Sequence, residues 1–399
     1  MRQDFTTWMD QNLPRLIELR QDLHAHPELG FEEARTSKVV ADMLRKANIE
    51  VTENIGKTGV VGVIQGKLPG QRSIGFRADM DALPIVEATG VPYSSQNPGR
   101  MHACGHDGHT TMLMGAALYL AENPDFGGSL NVIFQPAEEG RGGAKTMVAE
   151  GLFDRFPCDT IYGMHNLPGM DVGNMGGRVG PMMAAADFWE VTFKGAGGHG
   201  GVAPHEATDV TYAQAHFVLA LQGIVGRSIA PLETAVISVG YIHGGSDAAP
   251  SVIPSEVVIG GTTRSFDPDT RNLIEKRIKE LAELHAQAWG CKATFTYKRV
   301  ASIVDNTKEA FEAASIAAVS TVGEQKFDAE IDRTCGGEDF SLMMEAVPGA
   351  FLWIGNGTDA DGSVSQLHTL TYNFNDEAIP VGVEYWVNLA FGELGGEQL

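Results

Sequence analysis

Residues 187–299 run through six segments in a fixed order. DFWEVTFKG reads as a strand and DVTYAQAHFVLALQGIVG as a helix. TAVISVGYI and SEVVIGGTTR follow as strands, then DTRNLIEKRIKELAELHAQAW as a helix and CKATFTYKR as a strand. The strands carry period-two alternation and the helices apolar residues at helical spacing. The order β-α-β-β-α-β is the split βαβ arrangement of a ferredoxin-like module. At about 110 residues it is large enough to hold its own core. On either side the pattern is different. VVGVI (60–64), IGFRA (74–78), LNVIF (130–134) and TIYGM (160–164) read as strands, and TTMLMGAALYLAE (110–122) as a helix. Residues 4–48 are predicted helical, interrupted by Pro27 and Gly30. After the module, 308–322 reads as a helix, AFLWIG (350–355) as a strand, and EAIPVGVEYWVNLAFGEL as a closing helix with Pro380 in its first turn. This β/α alternation predicts an α/β chain, a sheet covered by helices.

The chain has 399 residues, more than one compact core usually holds, so two domains are expected. The formal net charge of −22 argues against nucleic acid and anionic membranes as partners, because both select basic patches. The four cysteines are Cys104, Cys158, Cys291 and Cys335, too dispersed to suggest a disulfide framework. No apolar run resembles a signal peptide or a membrane span, so a soluble, cytoplasmic protein is expected.

Chemistry concentrates where strands are predicted to end. MHACGHDGHT (101–110) places Cys104, His106 and His109 at C-x-H-x-x-H spacing beside Asp107. Such a cluster binds metal or serves helix capping and packing. FQPAEEG (134–140) follows a strand and carries Glu138 next to Glu139. In an extended segment, neighbouring side chains diverge. One carboxylate would then hold a cation while the other takes a proton from water, the division a metal-dependent hydrolase needs. A solvated pair at a helix start is the plainer alternative. His165 in YGMHN closes an apolar strand, as a ligand or as a satisfied core histidine, and His368 in SQLHTLTY lies in a polar loop. In IGFRADMDALPI, Asp79 and Asp81 share a face by period two and suit a supporting role toward a ligand or base. Taken together, the thiolate, imidazoles and carboxylates suit Zn²⁺, Mn²⁺, Co²⁺ or Ni²⁺ better than Ca²⁺ or Mg²⁺.

Over nearly its full length the chain resembles the M20 metallopeptidases. The likeness is to the amidohydrolase branch of hippurate hydrolases, bacterial aminoacylases and plant auxin-conjugate hydrolases. Eight stretches come in family order: LHAHPELGFEE, GFRADMDALPI, MHACGHDGHT, FQPAEEG, MHN, GAGGHGG, CGGEDFS and LHTLTYNFND. The C-x-H-D-x-H element points to this branch.

The resemblance implies a centre of two divalent metal ions held by Cys104, His106, Glu139, His165 and His368, with Cys104 bridging. It implies Glu138 as general base toward a metal-activated water and Asp81 as the aspartate that orients the base or the ligand shell. Other branches carry a metal histidine where this chain has Asp79, so no ligand role passes to Asp79. His109 matches the motif as a packing or supporting residue. His199, in KGAGGHGGVAPH, matches a histidine that stabilises the oxyanion, often across a subunit boundary; a mobile glycine-loop residue is the alternative. Arg264 is a candidate to grip a substrate carboxylate, although an exposed strand-end arginine is the commoner case. Because His368 follows the ferredoxin-like module and the other ligands precede it, the catalytic domain is implied to be discontinuous. Its expected parts are 1–184 and 300–399, with 185–299 an inserted lid and dimerisation domain. The expected activity is hydrolysis of the amide bond of an N-acyl amino acid by a homodimer or homotetramer. The rival readings are a dipeptidase or exopeptidase on the same site and a non-catalytic metal-binding protein.

Overall fold

The computed structural model describes residues 2–359, 361–396 and 399. The chain divides into two compact units. One comprises Met1–Met182, Val304–Asp332 and Asp339–Leu399; the other comprises Met183–Ile303 and Arg333–Glu338. The first is therefore built from separated stretches of chain. Its boundaries at 182/183 and 303/304 lie a few residues from those expected, and Arg333–Glu338 groups with the inserted unit rather than with the C-terminal stretch.

The first unit is an eight-stranded mixed sheet with flanking helices. Its strands run in the spatial order Glu50–Ile55, Gly59–Gln65, Gly127–Gln135, Leu68–Asp79, Thr160–Pro168, Gly349–Gly357, Met175–Gly176 and Phe327–Asp328. The four central strands, from Gly127–Gln135 to Gly349–Gly357, are mutually parallel. Gly127–Gln135, Thr160–Pro168 and Gly349–Gly357 are buried along most of their length, and Leu68–Asp79 from Ile74 onward, as strands covered on both faces must be. The helices Arg2–Ala25, His106–Glu122, Lys308–Val322 and Ala378–Leu394 pack with one another and share a continuous core that includes Leu16, Leu113, Phe311 and Trp386. The helix His106–Glu122 is buried from His106 to Leu120, so it is covered on every side rather than amphipathic.

That helix begins four residues earlier than its apolar spacing predicts. Gly105 caps it at φ +94°, a left-handed conformation that opens to glycine without cost. A Cβ there would stand 2.2 Å from Asn166 Oδ1 and 2.6 Å from the Tyr372 hydroxyl. Glycine is therefore required twice over, by the turn and by the close approach. The consequence is that His106 projects from the first helical turn.

The inserted unit holds a four-stranded antiparallel sheet in the order Ala235–Gly244, Glu256–Ser265, Ala185–Lys194, Lys292–Ala301. With helices Val210–Arg227 and Pro268–Ala288 this is the ferredoxin-like topology expected from the six segments. Alternation decides which face is buried. Trp189, Val191 and Phe193 enter a core with Phe217, Leu221, Ile274 and Ile278, while Phe188 and Glu190 point away from it. Asp209 and Asp267 cap the two helices by accepting the Thr211 and Thr270 amides at 2.9 and 2.7 Å. No helix among the described residues is long and apolar enough to cross a membrane.

Candidate metal centre and its supporting network

The parallel strands of the first unit deliver their carboxyl ends to one place, where open α/β sheets position ligands. Strand Leu68–Asp79 leads into Asp81, Gly127–Gln135 into Glu138 and Glu139, and Thr160–Pro168 carries His165 near its end. Cys104 and His106 arrive at the start of the buried helix. Cys104 Sγ lies 3.3 Å from His165 Nε2. His368 Nε2 lies 3.2 Å from Glu139 Oε1. Ligand atoms of Cys104, His106 and His165 fall within 4.8 Å of one another, as do those of Cys104, Glu139 and His368, and those of His106, Glu138 and Glu139. Cys104, His106 and Glu139 each belong to two of these groups, so the structure joins all five residues proposed as ligands, with Glu138, into one cluster.

His368 adopts φ +63°, uncommon for a side chain of its size. Its amide donates to Ala103 O at 2.7 Å, and Leu370 O accepts from Ala88 N at 2.8 Å. These bonds hold the loop against Ala103 and Ala88, the kind of surrounding contact that keeps a strained backbone in place.

Glu138 and Glu139 do not sit on an extended segment as the sequence suggests. They occupy a turn in which the Gly140 amide donates to Glu138 O at 2.6 Å. Asp81 makes the turn: its two carboxylate oxygens accept the Glu138 and Glu139 amides, each at 3.0 Å. The Glu138 carboxylate in turn accepts the Asp339 amide at 3.3 Å.

A metal fits these residues on their own chemistry. Both ring nitrogens of His106 are buried without a hydrogen-bond partner, and Glu139 Oε1 has only its charge contact with His368, a costly state unless something else binds them. His106 is flanked by Asp81 at 3.3 Å and Asp79 at 3.7 Å, as close charge contacts only. Burial alone would depress its imidazole, but Asp79, Asp81 and Glu139 overcome this and raise it to about 10. Burial pushes the Cys104 thiol up, and Glu139, Glu138 and Asp79 push it further. The site thus carries an excess of negative charge that a cation would neutralise. Burial and the neighbouring His109 hold His165 well below the usual histidine range, so it stays neutral. Its Nδ1–H donates to Asn166 O at 2.8 Å, leaving the Nε2 lone pair for a ligand, a common arrangement in metal sites.

His109 takes the supporting place. Its Nδ1 donates to Asp79 Oδ1 at 2.6 Å and its Nε2 donates to Asn166 Oδ1 at 2.7 Å. Asp79 is buried against burial's own preference; the charges of His106, Arg77 and His109 hold it well below the usual carboxylate range. Arg77 donates to Asp79 at 2.8 Å and to Gln135 at 2.8 Å, and Gln135 donates to Asp339 at 2.7 Å. Asn166, Tyr372, Gln135 and Asp339 escape the sequence reading. Asn166 stands beside His165 in YGMHN, and Gln135 beside the strand end before Glu138; adjacency to a proposed ligand is the signal that finds them.

A second buried chain supports the helix start. Asp107 accepts from His24 Nδ1 at 2.7 Å, and Arg20 approaches it at 3.8 Å while pairing with Asp376 at 2.6 and 2.8 Å. Burial lowers the His24 imidazole, but hydrogen bonds to Asp107 and Glu87 win and raise it to about 9.

His199 and Arg264 belong to the inserted unit. His199 is exposed on the short strand Gly198–His199, paired with Val252–Ile253, and its Nδ1 accepts the Gly201 and Val202 amides at 3.2 and 3.3 Å. Arg264 is half-buried rather than exposed. Its Nε donates to Cys335 O at 2.9 Å and its Nη1 to Thr263 O at 2.8 Å.

The profile of Peptidase family M20/M25/M40 matches residues 75–391. A hippurate hydrolase of Campylobacter jejuni is 41% identical over 372 residues, covering 93% of this chain and 94% of that protein. An N-acetylcysteine deacetylase of Bacillus subtilis is 38% identical over 379 residues, covering 94% and 96%. Among solved structures, a dinuclear metal binding peptidase from family M20 of Bacillus subtilis superposes with a TM-score of 0.81 at 33% identity, covering 96% of this chain and 98% of that one.

Proposed function

The chain belongs to peptidase family M20/M25/M40 and is a metal-dependent amidohydrolase, and from that premise we propose that it cleaves the amide bond of N-acyl amino acids. The products are a carboxylic acid and a free amino acid. The observation that carries this reading is the joined cluster of Cys104, His106, Glu139, His165 and His368 with Glu138 at its edge. Those five residues would hold two divalent cations, of the Zn²⁺, Mn²⁺, Co²⁺ or Ni²⁺ kind that mixed S/N/O donors select. Bound there, the cations would polarise the scissile carbonyl and make a water acidic.

Everything else falls to the chain's own side chains. Glu138 takes a proton from the attacking water and returns it to the amine nitrogen as the C–N bond breaks. Asp81 fixes Glu138 by its backbone, so the base arrives pre-aimed. His199 steadies the developing oxyanion, and Arg264 receives the substrate carboxylate. In this reading the inserted unit is the lid, and the enzyme works as a homodimer or homotetramer.

Release of free amino acid from N-benzoylglycine and N-acetylmethionine, measured beside a panel of dipeptides, tests the substrate class. Faster turnover of the N-acyl compounds supports the proposal; faster turnover of dipeptides replaces it with a dipeptidase. Glu138→Ala should lower kcat by about 10²–10⁴, the range of a general base, with metal content unchanged. Full activity in that variant would end the mechanism.

A further inference from the structure

The stretch LHAHPELGFEE has no part in the mechanism above, yet its last residue reaches the catalytic turn. Glu33 is completely buried. Its Oε1 accepts the Ala137 amide at 2.8 Å, and its Oε2 accepts the Thr58 hydroxyl at 2.6 Å. Ala137 has φ +55°, the left-handed region an alanine rarely enters. It is the residue immediately before the glutamate pair. Three successive amides, those of residues 137, 138 and 139, are therefore taken by two buried carboxylates, Glu33 and Asp81. Consecutive amides turned to one side by a left-handed residue form a concavity suited to anions, and here the protein fills it itself.

Glu33 is in turn held firmly. It is the residue at the start of helix Ala34–Lys46, where the neighbouring Glu28 carboxylate accepts the Arg35 and Thr36 amides at 3.1 and 2.8 Å. Leu29 bridges Ala82, one residue past Asp81, and the Ala82 amide donates to Glu28 O at 2.8 Å. Gly30 abuts the turn from outside: a Cβ on it would stand 2.9 Å from Ala137 Cα.

We propose that Glu33 is a positioning residue for the reaction: by fixing Ala137 in its left-handed conformation it aims Glu138 and Glu139. The inference rests on the roles given to that pair above. Its geometric content is that Asp81 sets the amides of the pair and Glu33 sets the residue from which the turn departs. Thr58 holds the Glu33 carboxylate from its other oxygen, and Gly30 leaves the space the turn occupies.

The test compares Glu33→Ala, Glu33→Gln and Gly30→Ala with the parent enzyme. The readouts are kcat and KM on the best N-acyl substrate, the affinity of each Mn²⁺ equivalent by calorimetry, and thermal unfolding. Glu33→Ala should lose about 10- to 100-fold in kcat with KM within about threefold, and should weaken one Mn²⁺ equivalent about tenfold, because Glu139 is misaimed along with Glu138. Glu33→Gln keeps an oxygen for the Ala137 amide and should recover most of both losses. Gly30→Ala pushes the same residue and should lower kcat in the same direction, which keeps the test decisive if Glu33→Ala does not fold. Folded Gly30→Ala and Glu33→Ala enzymes with kcat within twofold of the parent and unchanged Mn²⁺ affinity would overturn the proposal. So would a Glu33→Gln enzyme no better than Glu33→Ala. Glu138→Ala run in parallel separates the two failures: an inactive Glu138→Ala beside an active Glu33→Ala sinks only the role of Glu33, whereas an active Glu138→Ala sinks the reading beneath it.

Discussion

At the scale of single residues, the proposed centre depends on positions that admit one side chain. Gly105 is the sharpest case, since it combines φ +94° with a Cβ position 2.2 Å from Asn166 Oδ1. Gly105→Ala should cost about 2 kcal/mol or more from strain and overlap together. Differential scanning calorimetry should show a lower Tm, and metal binding should weaken because Cys104 and His106 flank the displaced turn. An unchanged Tm would mean the turn relaxes freely. Asp79 illustrates the opposite kind of constraint. Its buried carboxylate serves Arg77 and His109. Asp79→His should therefore remove the partner of His109 without adding a working ligand, and turnover should fall.

At the scale of elements, helix His106–Glu122 is joined to helix Arg2–Ala25 through the buried pair His24–Asp107. His24 is raised from 6.5 to about 9 on folding. A raised imidazole contributes its stabilisation fully below its unfolded value and loses it as pH climbs through the folded one. The protonated His24, with Asp107 and Glu87 together, should thus contribute about 3 kcal/mol near pH 6, fading between pH 6.5 and 9. Urea denaturation of the parent and His24→Gln proteins from pH 6 to 10 should show the parent's advantage shrinking across that window. A constant difference would show that His24 does not titrate there. This chain of contacts was not legible in the sequence. His24 and Asp107 lie 83 residues apart, and no local period links them. The strand ends were legible, because apolar runs that stop at Asp79, at Gln135 and near His165 mark where a parallel sheet hands over to loops. The turn at Glu138–Glu139 was not, because it is made by Asp81 and Glu33 from elsewhere in the chain. The early helix start at His106 was hidden for a different reason: Gly105 belongs to no apolar pattern.

At the scale of the whole molecule, the ferredoxin-like insert was the most legible feature, since each of its six segments carries its own period and its own turn signals. Its core is self-contained, with Trp189, Val191, Phe217, Leu221, Ile274 and Ile278 drawn from the inserted unit alone. The fragment 183–303 should accordingly unfold in one cooperative step when expressed by itself; a broad, non-cooperative melt would show that it borrows stability from the rest of the chain. The tie of Arg333–Glu338 to the insert is a side-chain-to-backbone bond, Arg264 Nε to Cys335 O, that no local sequence pattern announces. The function of the whole rests on one claim, that residues from separated segments, Cys104 to His368, hold two metal ions. Elemental mass spectrometry on protein purified without added metal, repeated after chelation and reconstitution with Mn²⁺, Co²⁺ or Zn²⁺, measures it directly. Up to two ions per chain, lost on chelation, restored with activity, and diminished in Cys104→Ala and His368→Ala, is the result expected. No bound metal after reconstitution, or full metal content in both variants, would contradict the account.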